Sequence, residues 1–298
     1  MARARRLLPI YGLLLPGMVL YGLWAAYPLI SSFILSFSEW NLTKPTVFIG
    51  LDNYTRALSD PLFWRSLSST LGYTIVTVAG QLVLGLGAAL LLNQRIPGRS
   101  LLRLVYYLPV ITSWVIVSLV FLFIYNGQAG ALNWLLKDVL HVIPKNIAWL
   151  AEPSTALWAI AILGIWKGIG WTMVVFLAGL QSVPRELYEA AAMDGAGAWA
   201  RFRYVTIPFL RATSTFLIVV LTIGGFNAFI SIFVMSSSAT GTIGGPLNST
   251  DVALTYMWKQ AFTQIDLGYS AALSFLLAAA IVVVSIVELR LARRQETA

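Results

Sequence analysis

Apolar residues in this chain gather in long unbroken runs, where a soluble helix would show a stripe along one face. The runs fall at about Leu8–Phe37, Thr70–Leu92, Leu104–Tyr125, Thr155–Leu180, Ala212–Met235 and Tyr269–Leu289. Crossing the ~30 Å hydrocarbon layer of a bilayer takes about 20 such residues in helical form. Lipid offers the backbone no hydrogen-bond partner, so each run must satisfy its own polar groups. The pattern predicts an all-α, polytopic membrane protein with six transmembrane helices. Arg3, Arg5 and Arg6 precede the first run, as in a signal peptide. That run exceeds the roughly 7–15 apolar residues of a signal sequence, so it reads as a span.

Composition agrees: 11% of the 298 residues are charged and 58% are hydrophobic, against about 25% charged in soluble chains. The charges sit between the runs. Thirteen Lys and Arg residues lie on one side, in the groups Arg3, Arg5, Arg6; Arg95, Arg99, Arg103; Arg185, Arg201, Arg203, Arg211; and Arg290, Arg293, Arg294. Six lie on the other side: Lys44, Arg56, Arg65, Lys137, Lys145 and Lys259. The positive-inside rule then places both termini in the cytoplasm. The net charge of +8 belongs to these loops, so membrane lipid, and no nucleic acid, is the expected partner. The chain has no cysteine, and its single histidine, His141, falls in a polar linker. No catalytic residue and no metal site are expected from that inventory. A phosphate-cradling G-x-x-x-x-G-K-[ST] run is also missing; Gly80 and Gly85 have its glycine spacing but lie inside a span. No cofactor is expected in this chain.

Two linkers on the side poor in positive charge, Ala131–Leu140 and Val252–Phe262, are amphipathic, with Trp134 and Trp258 on their apolar faces. They read as interfacial helices anchored by tryptophan or as a docking platform for an external protein. On the opposite side, about thirty residues from Ser182 to Ala212 connect the fourth and fifth runs, far beyond the ~4–6 residues of an ordinary connection. Pro184 suits a first helical turn, and Glu186 and Glu189 lie near its positive end. Leu187, Ala190 and Ala191 share one face, Gly195 and Gly197 break the helix, and Ala198–Tyr204 starts another. The residues alone admit a plug for a groove on a cytosolic partner or a solvated connector.

The run Glu189-Ala190-Ala191, three residues, Gly195, nine residues, Val205-Thr206-Ile207-Pro208 resembles the EAA signature of ABC importer permeases. Pro28, Ser36-Phe37, Phe48-Ile49-Gly50-Leu51-Asp52-Asn53-Tyr54, Leu108-Pro109, and Gly244-Gly245-Pro246 with Ser249-Thr250 are similar to the maltose-type, carbohydrate-uptake branch. Within that branch the chain is similar to one subunit of a heterodimer. The resemblance implies a MetI-like, type I importer permease forming a single transmembrane domain over residues 1–298, with a coupling loop at about 182–211. It implies a bacterial or archaeal cytoplasmic (inner) membrane. The implied partners are a second permease subunit, two ATPase subunits that hold ATP and Mg, and an extracytoplasmic solute-binding protein. The loop would couple to the ATPase through Leu187, Glu189, Ala190, Ala191, Gly195 and Pro208.

Lys167 stands in the middle of the fourth run, where an unpartnered charge costs several kcal/mol. The reading places no acidic residue inside a span, so no ion pair within the chain is expected for it. Gly164, Lys167, Gly168 and Trp171 fall on one helical face. Aligned from the EAA run, that face corresponds to the one that lines the solute site in maltose-type permeases. Trp114, Gly224, Gly225 and the nearby Asn227 correspond likewise. Trp114 and Trp171 would stack on sugar rings and Lys167 would meet hydroxyls or a phosphate; alternatively the tryptophans pack between helices and Lys167 serves a gate or a subunit contact. The expected solute is a mono-, di- or oligosaccharide, with glycerol phosphate or a glycerophosphodiester as the alternative. An ion-coupled secondary transporter and an intramembrane enzyme rank below both.

Overall fold

The computed structural model of the chain describes residues 2–43, 45–94 and 96–296. Of the charges counted above, Lys44 and Arg95 lie outside the described residues, as do the side chains of Arg3, Arg5, Arg6, Arg293 and Arg294.

The first span starts as α1 (Ala2–Tyr21), passes a π-helical turn at Gly22–Ala26 and continues as α2 (Tyr27–Leu35). None of its apolar window is buried within the chain. In the next linker, β1 (Ser38–Glu39) and β2 (Val47–Phe48) pair antiparallel, a small departure from the all-helical expectation. Then come α3 (Asp52–Ser59) and the second span, α4 (Pro61–Asn93). The third span is α5 (Arg99–Ile111) followed by α6 (Trp114–Ile124), bent by 100°. After α7 (Ala131–Asn133) and its π-helical extension, the fourth span is α8 (Ala156–Gln181). The long loop holds α9 (Arg185–Met193), α10 (Ala198–Arg201), a π-helical turn at Phe202–Thr206 and α11 (Ile207–Phe209). The fifth span divides into α12 (Arg211–Phe226) and α13 (Ile230–Thr240). After α14 (Ala253–Trp258), α15 (Leu267–Glu296) is the last span. Among the described residues five helical stretches are long and apolar enough to cross a membrane, and the number is six if the bent pair counts as one span.

The third run was expected to be one continuous helix. Pro109 lacks the N–H that would continue the ladder and crowds the preceding turn, and Thr112 and Ser113 take extended backbone angles before α6 restarts.

The chain forms two compact units, one of Met1–Phe63 with Met257–Ala279 and one of Trp64–Tyr256 with Ala280–Ala298. The first unit explains the Phe48–Tyr54 run. Gly50 takes φ +63°, which turns the chain, and buried Asn53 donates through Nδ2 to the carbonyls of Ser36 and Ser38, both at 3.0 Å. The hydroxyls of Ser36 and Tyr54 lie 2.7 Å apart. The run is thus a staple that fastens α3 to the end of α2.

In the second unit one core gathers Tyr73, Val117, Ile160, Leu163, Ile232 and Met235, and another gathers Ala89, Met173, Phe176, Leu210 and Leu217. The linker after α6 is held by Asn133. Its Nδ2 donates to the carbonyls of Asn126, Gly127 and Ile147, and its Oδ1 accepts from the Ile147 N–H and the Trp149 indole. Asn133→Ala would strand these groups at about 1–3 kcal/mol for each one left buried. We expect residues 126–149 to become susceptible to limited proteolysis while the spans stay protected.

Two expectations are corrected here. The first half of the segment beginning at Val252 is covered by protein, since Val252, Ala253, Thr255 and Tyr256 are buried and Thr70 Oγ1 accepts the Ala253 N–H at 2.8 Å, whereas Trp258 is half-buried and Phe262 is exposed. Amphipathic periodicity reports an apolar face without saying whether lipid or protein covers it. The first such segment, with Trp134 more than half exposed, keeps an open apolar face. Also, an acid does lie inside a span. Glu288 falls in the Leu267–Ala292 crossing, and its Oε1 accepts a 2.7 Å bond from Thr222 on α12.

Candidate functional site

Every residue assigned to the solute path lines one cavity of about 380 Å³ in the second unit. Gly164, Lys167, Gly168 and Trp171 come from one face of α8; Trp114 comes from the start of α6; Gly224, Gly225 and Asn227 come from the end of α12. The cavity lies where both broken spans break, with Val110 and Trp114 flanking one interruption and Asn227, Ala228, Phe229 and Ile230 forming the other.

Small residues on α8 make room for the second span. A Cβ on Gly164 would meet the Tyr73 hydroxyl at 2.7 Å, and one on Gly168 would collide with the Gln81 amide. The glycine spacing at Gly80 and Gly85 has the same cause, since side chains there would strike Ile165 and Thr172. These glycines serve helix packing, in keeping with their place inside a span.

Lys167 does not reach into open space. Its residue is only 4% exposed, and Nζ donates to the carbonyls of Pro109 at 2.6 Å, Val110 at 3.2 Å and Thr112 at 2.8 Å. An ammonium has three N–H donors, and all three are used. The same Nζ stands 4.9 Å from the centre of the Trp114 ring, within cation–π range. The expected absence of an ion pair is met by carbonyl oxygens that the bend leaves without helical partners. Among the described residues, Lys167 is the only charged side chain lining the cavity.

The rest of the lining is neutral: the indoles of Trp114 and Trp171, the amides of Gln81 and Asn227, and the hydroxyls of Tyr73, Thr77 and Ser231. Asn227 Nδ2 donates to the Ile223 carbonyl at 2.8 Å, and Gln81 Nε2 to the Gly164 carbonyl at 3.3 Å. Tyr73, Thr77 and Gln81 were not singled out from the sequence. Their signal was present, because three polar residues spaced by four form a line along one face of the span.

In the long loop, α9 carries Leu187, Glu189 and Ala190 at exposed positions and Ala191 at a half-buried one. Pro184 sits just before the helix, in an extended conformation, one position earlier than expected. Gly195 has φ +77°, and the next N–H, of Ala196, closes back on the Ala191 carbonyl at 2.9 Å. This is the left-handed ending that glycine allows. Pro208 falls in α11, and the Tyr188 hydroxyl lies 2.9 Å from Thr206 Oγ1, tying α9 to the segment that leads into α12.

Residues 81–297 match the profile of the family described as binding-protein-dependent transport system inner membrane component. A probable ABC transporter permease protein of Pyrococcus horikoshii is 35% identical over 91% of this chain and 91% of that one. The arabinooligosaccharides transport system permease protein of Bacillus subtilis is 33% identical over 89% of this chain and 82% of that one. The sulfoquinovosyl glycerol transport system permease protein of Agrobacterium fabrum is 34% identical over 95% and 90%. Among solved structures, a chain of a bacterial ABC transporter involved in import of the acidic polysaccharide alginate matches with a TM-score of 0.82, 22% identity and 98% coverage of both chains. At that identity the likeness speaks for the fold.

Proposed function

The chain belongs to the binding-protein-dependent transport system inner membrane components, and from that premise we propose that it forms half of the path of an ATP-driven importer for a neutral carbohydrate. The observation that carries the solute class is the cavity lining. Indole faces suit the apolar faces of sugar rings, and amides and hydroxyls suit their hydroxyl groups. The one cation already spends its three donors on backbone carbonyls, which leaves no N–H for a phosphate. One relative is named for transport of a neutral sugar, arabinooligosaccharides, and another for a sugar solute that carries a sulfonate, sulfoquinovosyl glycerol. Glycerol phosphate or a glycerophosphodiester is the competing solute.

In this reading both termini and the α9 loop face the cytoplasm, where thirteen of the Lys and Arg residues lie. A separate ATPase subunit grips α9, a second permease subunit completes the path, and an extracytoplasmic binding protein delivers the solute. ATP and Mg stay with the ATPase. Import follows when each partner favours one conformation of the permease over the other.

The test is to purify the tagged chain with its associated subunits in mild detergent and reconstitute it with its binding protein. An ATPase and a second permease are expected to co-purify, and neutral saccharides, but not glycerol phosphate, to stimulate ATP hydrolysis. Stimulation by glycerol phosphate alone would overturn the neutral-solute reading. Isolation of the chain without any ATPase would overturn the importer reading.

A further inference from the structure

We propose that Lys167 is a positioning residue that clamps the broken end of the third span to α8, so that movement of the α9 loop reaches Trp114 in the cavity wall. The functional half of this inference rests on the importer reading. The clamp itself rests on geometry.

Three observations carry it. First, Lys167 Nζ holds the carbonyls of Pro109, Val110 and Thr112, which lie on both sides of the end of α5. A positive charge at a helix C-terminus is where the partial negative charge of the carbonyls gathers. Second, α5 is pressed on α8 at a further point. A Cβ on Gly170 would run into the Tyr106 carbonyl, so the two backbones are in direct contact one turn from the lysine. Third, α6 packs chiefly against α13, whereas α5 packs against α8. The two halves of the third span are thus fastened to different neighbours, and Thr112–Ser113 is the joint between them.

That joint stands close to both functional regions. Trp114, the first residue of α6, lines the cavity and lies over the lysine. In the other direction α8 ends at Gln181, and only Ser182, buried Val183 and Pro184 separate it from α9. A helix that carries the clamp in its middle and the loop at its end can pass a rotation from one to the other. Removing the ammonium frees the joint without touching the cavity's neutral hydrogen-bonding groups.

The test compares the wild-type complex with Lys167→Met, which removes the donors, and Lys167→Gln, which keeps two N–H groups without the charge. The chain has no native cysteine, so Leu104→Cys on α5 and Phe123→Cys on α6, both exposed, can take spin labels across the joint. In proteoliposomes Lys167→Met is expected to lower the maximal transport rate about tenfold. The solute KM should stay the same, and Lys167→Gln should fall between the two. The distance distribution should be narrow in the wild type and broad in Lys167→Met. That measurement needs neither solute nor ATP, so it judges the clamp even if the importer reading fails. A raised KM with an unchanged maximal rate would make Lys167 a solute ligand and overturn the proposal. An unchanged distance distribution would overturn it as well.

Discussion

Replacing Glu189 by lysine is expected to reduce transport roughly a hundredfold while the chain enters the membrane at its normal level. Glu189 is exposed on α9, and no hydrogen bond or ion pair ties it to other described residues. A surface substitution of that kind changes a chain's own stability by about 0.5 kcal/mol or less. Any large effect must therefore arise at a partner. If Glu189 docks in the ATPase, reversing its charge in a desolvated contact would cost about 3 kcal/mol, which corresponds to the stated factor. Gly195→Asp should act in the same direction by a different route. It forces a side chain onto a φ of +77°, although a Cβ there meets nothing within 4 Å. The helix would then end differently and present α9 at another angle. Uptake in vesicles, scaled to the amount of chain in the membrane, measures both. Normal uptake by both variants would move the coupling surface elsewhere.

The second large effect is expected at Gly224. A Cβ at this position meets nothing within 4 Å, and the residue lines the cavity. Gly224→Trp should fill much of the available space and cut uptake by about a hundredfold, equivalent to roughly 3 kcal/mol against the solute. Gly224→Ala should leave uptake close to normal. The neighbouring Gly225 supplies the control, because a Cβ there would lie 2.7 Å from Thr74 Oγ1 and Cγ2. Gly225→Ala is therefore expected to act on packing, costing about 1–3 kcal/mol of stability. Thermal unfolding in detergent separates the cases. Gly224→Trp should unfold near the wild-type temperature, and Gly225→Ala should unfold below it. Uptake by Gly224→Trp at the wild-type rate would remove the cavity from the solute path.

Much of this architecture was legible because its causes are local. Hydropathy marks a span whatever surrounds it, so each candidate crossing could be located from the sequence, the bent pair included. The face of Gly164, Lys167, Gly168 and Trp171 was legible because a helix repeats every 3.6 residues. What Lys167 touches was not, since its partners are carbonyls that every residue carries, exposed by a bend with one proline as its warning. Glu288 was passed over although it lies within the run Tyr269–Leu289, because a long apolar window averages a single acid away, and its bond to Thr222 joins residues 66 positions apart. The line of Tyr73, Thr77 and Gln81 was visible but looked like ordinary polar punctuation of a span. Nor could sequence tell Gly224 from Gly225. Adjacent glycines look alike until one is seen to face open space and the other a threonine.

The uncovered first span bears on how the chain fares in a cell. Leu13 and Trp24 are 83% and 79% exposed, and none of the apolar window is buried within the chain, although Phe33 near its end packs against Phe275. Whatever shields the exposed part of that helix, lipid or another protein, comes from outside. If the cover is another subunit, chains made in excess would present the same bare surface as damaged ones, and quality-control proteases in the membrane would meet them alike. Matched synthesis of the subunits would then be a condition of the chain's survival.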